Sequence, residues 1–226
     1  MVTALRLVFS LGYGAGRCLG KALLTFALSF GVAHAEPLSV VALGDSLTAG
    51  YGLAEGEGFV PQLQQWLAAN GSDATVVNAG VSGDTTAGGL ARLDWSLTPE
   101  TDALIVTLGG NDLLRGLDPA VTRSNLEAIL TKADARKLPV LLIGLPGPAN
   151  FGPDWKAQFD AIYPELAAKH GTLLAPNFMA GLGGDDPAAA RRLMQADGIH
   201  PNPEGVKRIV ADLGPKVLEL LARVQP

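Results

Sequence analysis

Serine, histidine and aspartate can together run nucleophilic ester chemistry, and here histidine is scarce enough to single out its partners: beyond the first 35 residues only His170 and His200 occur. Ser46 stands in "VVALGDSLTAGYG" (40–52), where an apolar run stops at Gly44. A serine hydroxyl is a weak nucleophile until a base takes its proton. The candidate base is His200 in "ADGIHPNPEG", with Asp197 three residues before it. In a tight loop that spacing lets the carboxylate accept a hydrogen bond from one imidazole nitrogen. The other nitrogen is then free as an acceptor in a fixed tautomer. Plainer readings compete. Serine is a common helix N-cap, and an Asp–His turn can simply cap the helix that follows. His170, in "AAKHGT" before a glycine, reads as ordinary polar decoration of a helix C-terminus.

Ester hydrolysis through a serine also needs donors for the oxyanion. Two stretches supply candidates. "NAGVSGDTTAGGLARL" (78–93) is rich in glycine, so backbone amides near Gly83 can approach a ligand closely. "LGGNDLLRG" (108–116) offers the side-chain amide of Asn111. Either stretch can equally be a plain turn before a helix, with Asp112 as the cap in the second.

The elements that must position these residues follow a simple alternation. Apolar runs at 38–43, 74–78, 103–108, 139–145 and 172–176 read as strands. They are continuous rather than alternating, as expected for strands covered on both faces. Helical stretches fall at about 59–70, 86–97, 119–137 and 154–170. A last helix begins near 203, with Asn202 as N-cap and Pro203 in its first turn. Gly214-Pro215 is expected to kink or interrupt it. Five strands alternating with helices imply an α/β fold with a parallel sheet, whose ligands sit at the carboxyl ends of the strands. Ser46, Gly83 and Asn111 each follow a candidate strand, and Asp197 and His200 lie in the loop that closes the fold. One such loop is noise, whereas four on one rim make a site.

The first 35 residues have the layout of a secretory signal peptide. Arg6, Arg17 and Lys21 precede or flank "ALLTFALSFGVA" (22–33), no acid occurs before Glu36, and "AHA" (33–35) places cleavage after Ala35. The chain is therefore read as 1–35 signal peptide and 36–226 a single domain, periplasmic or secreted. Of 17 basic residues three lie in the leader, leaving 14 against 22 acidic, a net charge of −8. That excess of acid argues against nucleic acid as a partner, since phosphate binding wants clustered Lys and Arg, and none is expected. The only cysteine, Cys18, is in the leader, so the remainder has no disulfide, thiol nucleophile or cysteine metal site.

"GDSL" with Ser46, the Gly of "SGDT", the Asn of "GGND" and "DGIHP" resemble the four sequence blocks of the SGNH, or GDSL, hydrolases. "PANFG" and "AIYPELA" add to a resemblance spanning about 38–213. Within the family it points to the bacterial periplasmic thioesterases, lysophospholipases and arylesterases. The resemblance implies a flavodoxin-like three-layer sandwich with a five-stranded parallel sheet. It implies Ser46 as nucleophile, His200 as base and then acid, and Asp197 as the orienting carboxylate. The implied oxyanion donors are the Ser46 and Gly83 amides and the Asn111 side chain, with Asp45 supporting the turn that presents Ser46. No metal or organic cofactor is implied. The implied substrate is a small acyl ester, thioester or lysophospholipid; a monomer that touches membrane lipid transiently is expected beside it. Two rivals remain: a carbohydrate acetylesterase of the same fold, and a non-catalytic flavodoxin-like binding module in which Ser46 is only a cap. "GLPGPANFGPDW" (144–155) departs from the family, which has a mobile loop here, and its three prolines should stiffen it. "GLGGDDP" (181–187) is a further candidate rim loop.

Overall fold

The computed structural model describes residues 36–183 and 187–225. The expected signal peptide and its cleavage point, and the middle of the 181–187 loop, lie outside them. Five strands form one parallel sheet: β1 Ser39–Gly44, β2 Thr75–Gly80, β3 Ala103–Thr107, β4 Val140–Ile143 and β5 Leu173–Ala175. Their order is β2-β1-β3-β4-β5, the doubly wound arrangement of flavodoxin-like folds. Val40 and Ala42 point into one apolar layer, and Val41 and Leu43 into the other. This two-sided burial is why β1 reads as an unbroken apolar run. β2 is the exception. It is an edge strand, and Val77 is 43% exposed, so "ATVVN" is not covered on both faces.

Helices close both layers. α2 (Phe59–Ala69) and α8 (Pro203–Leu221) bring Phe59, Leu63, Ile209 and Leu213 against one face. α3 (Thr86–Ser96), α5 (Pro119–Ala135) and α6 (Pro153–His170) bring Leu93, Leu126, Ile129 and Phe159 against the other. Shorter helices lie in the connections: α1 (Ser46–Ala49) and α4 (Gly110–Leu114) after β1 and β3, and α7 (Pro187–Arg191) before α8.

Asn202 caps α8 through its side chain, accepting from Gly205 N at 3.0 Å, with Pro203 in the first turn. Gly214-Pro215 does not interrupt the helix, and α8 runs through it. Pro215 and Ala211, whose carbonyl loses its partner, are both on the exposed side, where water can replace the missing bond. Gly214 is buried against Trp66, with a Cβ there falling 2.5 Å from the indole. The glycine marks close helix packing rather than a helix end.

Because chain order reverses at β1, the crevice at the carboxyl ends of β1 and β3 is the natural ligand site of this topology. α1 and α4 both start there.

Candidate active site

Ser46 stands immediately after β1 as the first residue of α1, and it is not the cap. Asp45 is, its Oδ1 accepting from Leu47 N at 3.0 Å. The serine hydroxyl is thereby left to turn toward the rim. Its Oγ lies 2.7 Å from His200 Nε2. His200 Nδ1 lies 2.6 Å from Asp197 Oδ2. An ionised carboxylate can only accept, so the imidazole proton sits on Nδ1 and Nε2 is the acceptor facing the serine. Asp197 Oδ1 also accepts from the backbone amides of Ile199 at 2.9 Å and His200 at 3.0 Å. Hydrogen bonds from the His200 amide and ring, then from Ile199, hold the Asp197 carboxyl down at about 2. It stays charged over the whole working range of an imidazole base.

Asp45 is shifted the opposite way. Burial pushes its carboxyl up to about 6, against the lowering effect of the Leu47 amide, His200 and Asn111. Its Oδ2 lies 3.4 Å from Asn111 Nδ2, a long and weak contact. An Asn side-chain amide carries two N–H groups, so the second is left for a ligand.

Ser46, Asn111 and His200 line one cavity of about 260 Å³. Its walls are largely apolar, with Leu47, Leu113, Leu145 and Met179 among them. Gly83 is not in that wall. It sits in the loop between β2 and α3 with φ +84°, and its carbonyl accepts from the Arg115 guanidinium at 2.8 Å. His170, by contrast, ends α6 just before β5, at the far end of the sheet from this rim. There it pairs with Asp134 at 2.6 Å, in keeping with its reading as a helix-end residue.

The sequence reading of Asp112 as a cap is corrected. Asp112 lies inside α4, buried, and accepts from Thr86 N (2.9 Å), Thr86 Oγ1 (2.5 Å) and Thr122 Oγ1 (3.2 Å). It therefore ties the segment carrying Asn111 to the start of α3, which follows the Gly83 loop. Arg115 and Gln195 also touch this site and were not singled out by sequence. Nothing local marks them, since they act on backbone carbonyls distant in the chain. Pro-rich 144–155 contains a 3₁₀ turn, Ala149–Phe151. Its Gly147 amide donates to Asp160 at 2.6 Å, and Trp155 stacks on Phe159 at 4.9 Å. Among the described residues, no three His, Cys, Asp or Glu side chains come together as a metal site.

Residues 42–208 match the GDSL-like Lipase/Acylhydrolase family. The chain is 44% identical to the esterase TesA of Pseudomonas aeruginosa over 90% of its own length and 96% of that protein's. It is 38% identical to the thioesterase 1/protease 1/lysophospholipase L1 of Escherichia coli, over 86% and 88%. The fold matches that of the psychrotrophic esterase EstA from Pseudoalteromonas sp. with a TM-score of 0.74 and 32% identity, covering 82% of this chain and 99% of that one. Sequence and fold agree: the chain belongs to the GDSL-like lipase/acylhydrolase family, as an ester hydrolase of the SGNH type.

Proposed function

We propose that Ser46 is the nucleophile of a two-step acyl hydrolysis. His200 takes the Ser46 proton as the hydroxyl attacks the acyl carbonyl, and Asp197 holds the imidazole in the required tautomer. The Ser46 and Gly83 amides and the Asn111 side chain receive the oxyanion, each lowering the barrier by about 2–4 kcal/mol. His200 returns the proton to the leaving alcohol or thiol, and water repeats the sequence on the acyl-enzyme. The observation that carries this reading is the unbroken contact from Ser46 Oγ through His200 to Asp197, at 2.7 and 2.6 Å. Substrates are acyl esters, thioesters and lysophospholipids, the classes in the names of its relatives. The apolar cavity favours acyl chains longer than acetate and argues against an acetylated carbohydrate. The test is hydrolysis of p-nitrophenyl esters from acetate to palmitate by wild type and Ser46→Ala. Loss of about 10⁶ in kcat is expected; equal activity of the two proteins overturns the assignment.

The enzyme acts as a monomer after export, with 36–226 as its single hydrolase domain. Support comes from the basic, apolar and small-residue pattern of 1–35. N-terminal sequencing of the exported protein should begin at Glu36. Transient contact with membrane lipid is supported by exposed Tyr51, Leu114 and Ile199 beside the serine and histidine.

A further inference from the structure

We infer that Gln195 is a positioning residue that sets the approach of His200 to Ser46, an inference resting on the roles proposed above for those two residues. Its side-chain Nε2 donates to two carbonyl oxygens, Tyr51 O at 2.9 Å and Pro201 O at 3.0 Å. Tyr51 lies five residues after Ser46, and Pro201 directly follows His200. Two acceptors demand the NH₂ end of the amide and use both its protons. The Gln195 backbone works on the same loop. Its N–H donates to His200 O at 2.7 Å, and its carbonyl accepts from Gly198 N at 3.0 Å, closing the turn that carries Asp197.

Two further observations converge on this side chain. Gly52 adopts φ +74°, and a Cβ there would fall 2.3 Å from Gln195 Oε1, so the glycine leaves the room the amide occupies. The Tyr51 ring, whose backbone the amide holds, lies 4.8 Å from the His200 imidazole, tilted by 41°. Among the described residues, the Gln195–Tyr51 bond is the only hydrogen bond between segments 44–53 and 193–202 apart from the Ser46–His200 contact itself. The loop bearing the base is thus clamped to the segment bearing the nucleophile by one neutral amide. Pre-setting that distance is what the proton transfer needs.

The test compares Gln195→Leu and Gln195→Glu with wild type. Leucine removes both donors and leaves the backbone bonds, so kcat should fall about tenfold, the scale of two lost neutral hydrogen bonds. KM should stay within about twofold, because no substrate contact is removed. The urea midpoint should fall only slightly, leaving the variant fully folded under assay conditions. Glutamate keeps the shape, donates once when protonated, and when ionised turns a charge onto two carbonyl oxygens. Its kcat relative to wild type should therefore rise as pH is lowered. The inference is overturned by a leucine variant at wild-type kcat, by a kcat loss that follows the unfolded fraction, or by a flat or falling glutamate ratio. Labelling of wild-type Ser46 by a serine-directed phosphonate, run alongside, separates the two readings. An unlabelled, inactive wild type sinks the roles of Ser46 and His200, and this inference with them. A labelled wild type with fully active Gln195 variants sinks this inference alone.

Discussion

Ser46 and His200 meet from two halves of the rim that are held in different ways. The serine half is an extension of the core. β1 delivers Ser46 directly from the sheet, and Asp45 beneath it is only 2% exposed. The backbones around it nearly touch: a Cβ at Gly80 would fall 2.3 Å from Ala49 N, and one at Gly44 would fall 2.9 Å from Thr107 O. The histidine half is a loop whose geometry is made of local hydrogen bonds. Asp197 takes all its partners from Ile199 and His200, and an isolated antiparallel bridge, Met194 to Pro201, closes the loop's base. The same carboxyl group therefore behaves oppositely in the two halves. Burial raises Asp45, and hydrogen bonds lower Asp197. The comparison implies that substitutions on the serine side should cost stability first, and those on the histidine side should cost rate first.

Short of removing the Ser46 nucleophile itself, the largest effect should come from the histidine half. In Asp197→Asn the amide oxygen still accepts from the Ile199 and His200 backbones, but the NH₂ faces Nδ1 and selects the wrong tautomer. Loss of about 10⁴ in kcat is expected, with the thermal midpoint moved by no more than the roughly 2–4 °C that 1 kcal/mol represents in a domain of this size. A large drop in the midpoint would break the comparison.

Asp45 provides the converse. Its folded carboxyl titrates near 6 against 3.8 when unperturbed. The folded chain thus holds this proton more tightly than the unfolded chain. The contribution is complete below 3.8 and is lost as pH rises through about 6. The full difference is on the order of 3 kcal/mol. Asp45→Asn carries no charge, so its stability relative to wild type should rise between pH 4 and pH 8, while kcat falls because Asn111 loses its acceptor. Urea unfolding of both proteins across that range measures it. Asp197, with its lowered carboxyl, has the opposite sign. Its contribution is present above 3.8 and fades as pH falls toward 2.

Much of this was readable in the chain, for reasons that also mark where reading stops. β1, β3, β4 and β5 were legible because parallel strands buried on both faces leave continuous apolar runs. β2 was legible as a strand but not as an edge, since neighbours are set by topology. α1 and α4 are four and five residues long, too short to show a period. Their form is imposed by the strand ends and by buried Asp45 and Asp112. Pro215 misled because a proline's cost depends on which face it falls on. At the site, Ser46, Asp197 and His200 stood out because histidine is rare and Asp–His spacing is local. Asp112 was read only as a cap, because its partner Thr86 lies 26 residues away, and Arg115 and Gln195 did not stand out, because Gly83 and Tyr51, which they reach across the rim, lie 32 and 144 residues away.

Gly80→Ala tests the serine half with no change in chemistry. The added methyl would meet the backbone of Thr48 and Ala49, which cannot rotate aside. α1 must move, at a cost of about 1–3 kcal/mol. Because α1 begins with Ser46, kcat should fall along with the thermal midpoint. A variant that loses stability at wild-type kcat would show that α1 shifts without carrying the serine, and that the two halves are less rigidly set than their packing implies.

Asn202→Ala is the smallest and sharpest probe, because it lies two residues beyond His200 but belongs to α8. Its Oδ1 caps the helix at Gly205, and its Nδ2 donates to Arg192 O at 2.8 Å. Losing the cap should cost about 1 kcal/mol of stability. If the histidine loop is held by Asp197 and Gln195, as its hydrogen bonds indicate, kcat should stay within about threefold of wild type, a change of under 1 kcal/mol in the barrier. If instead kcat drops by more than stability does, α8 itself sets the histidine. The histidine half would then also be an extension of the core, and the contrast between the two halves would reduce to the single buried charge of Asp45.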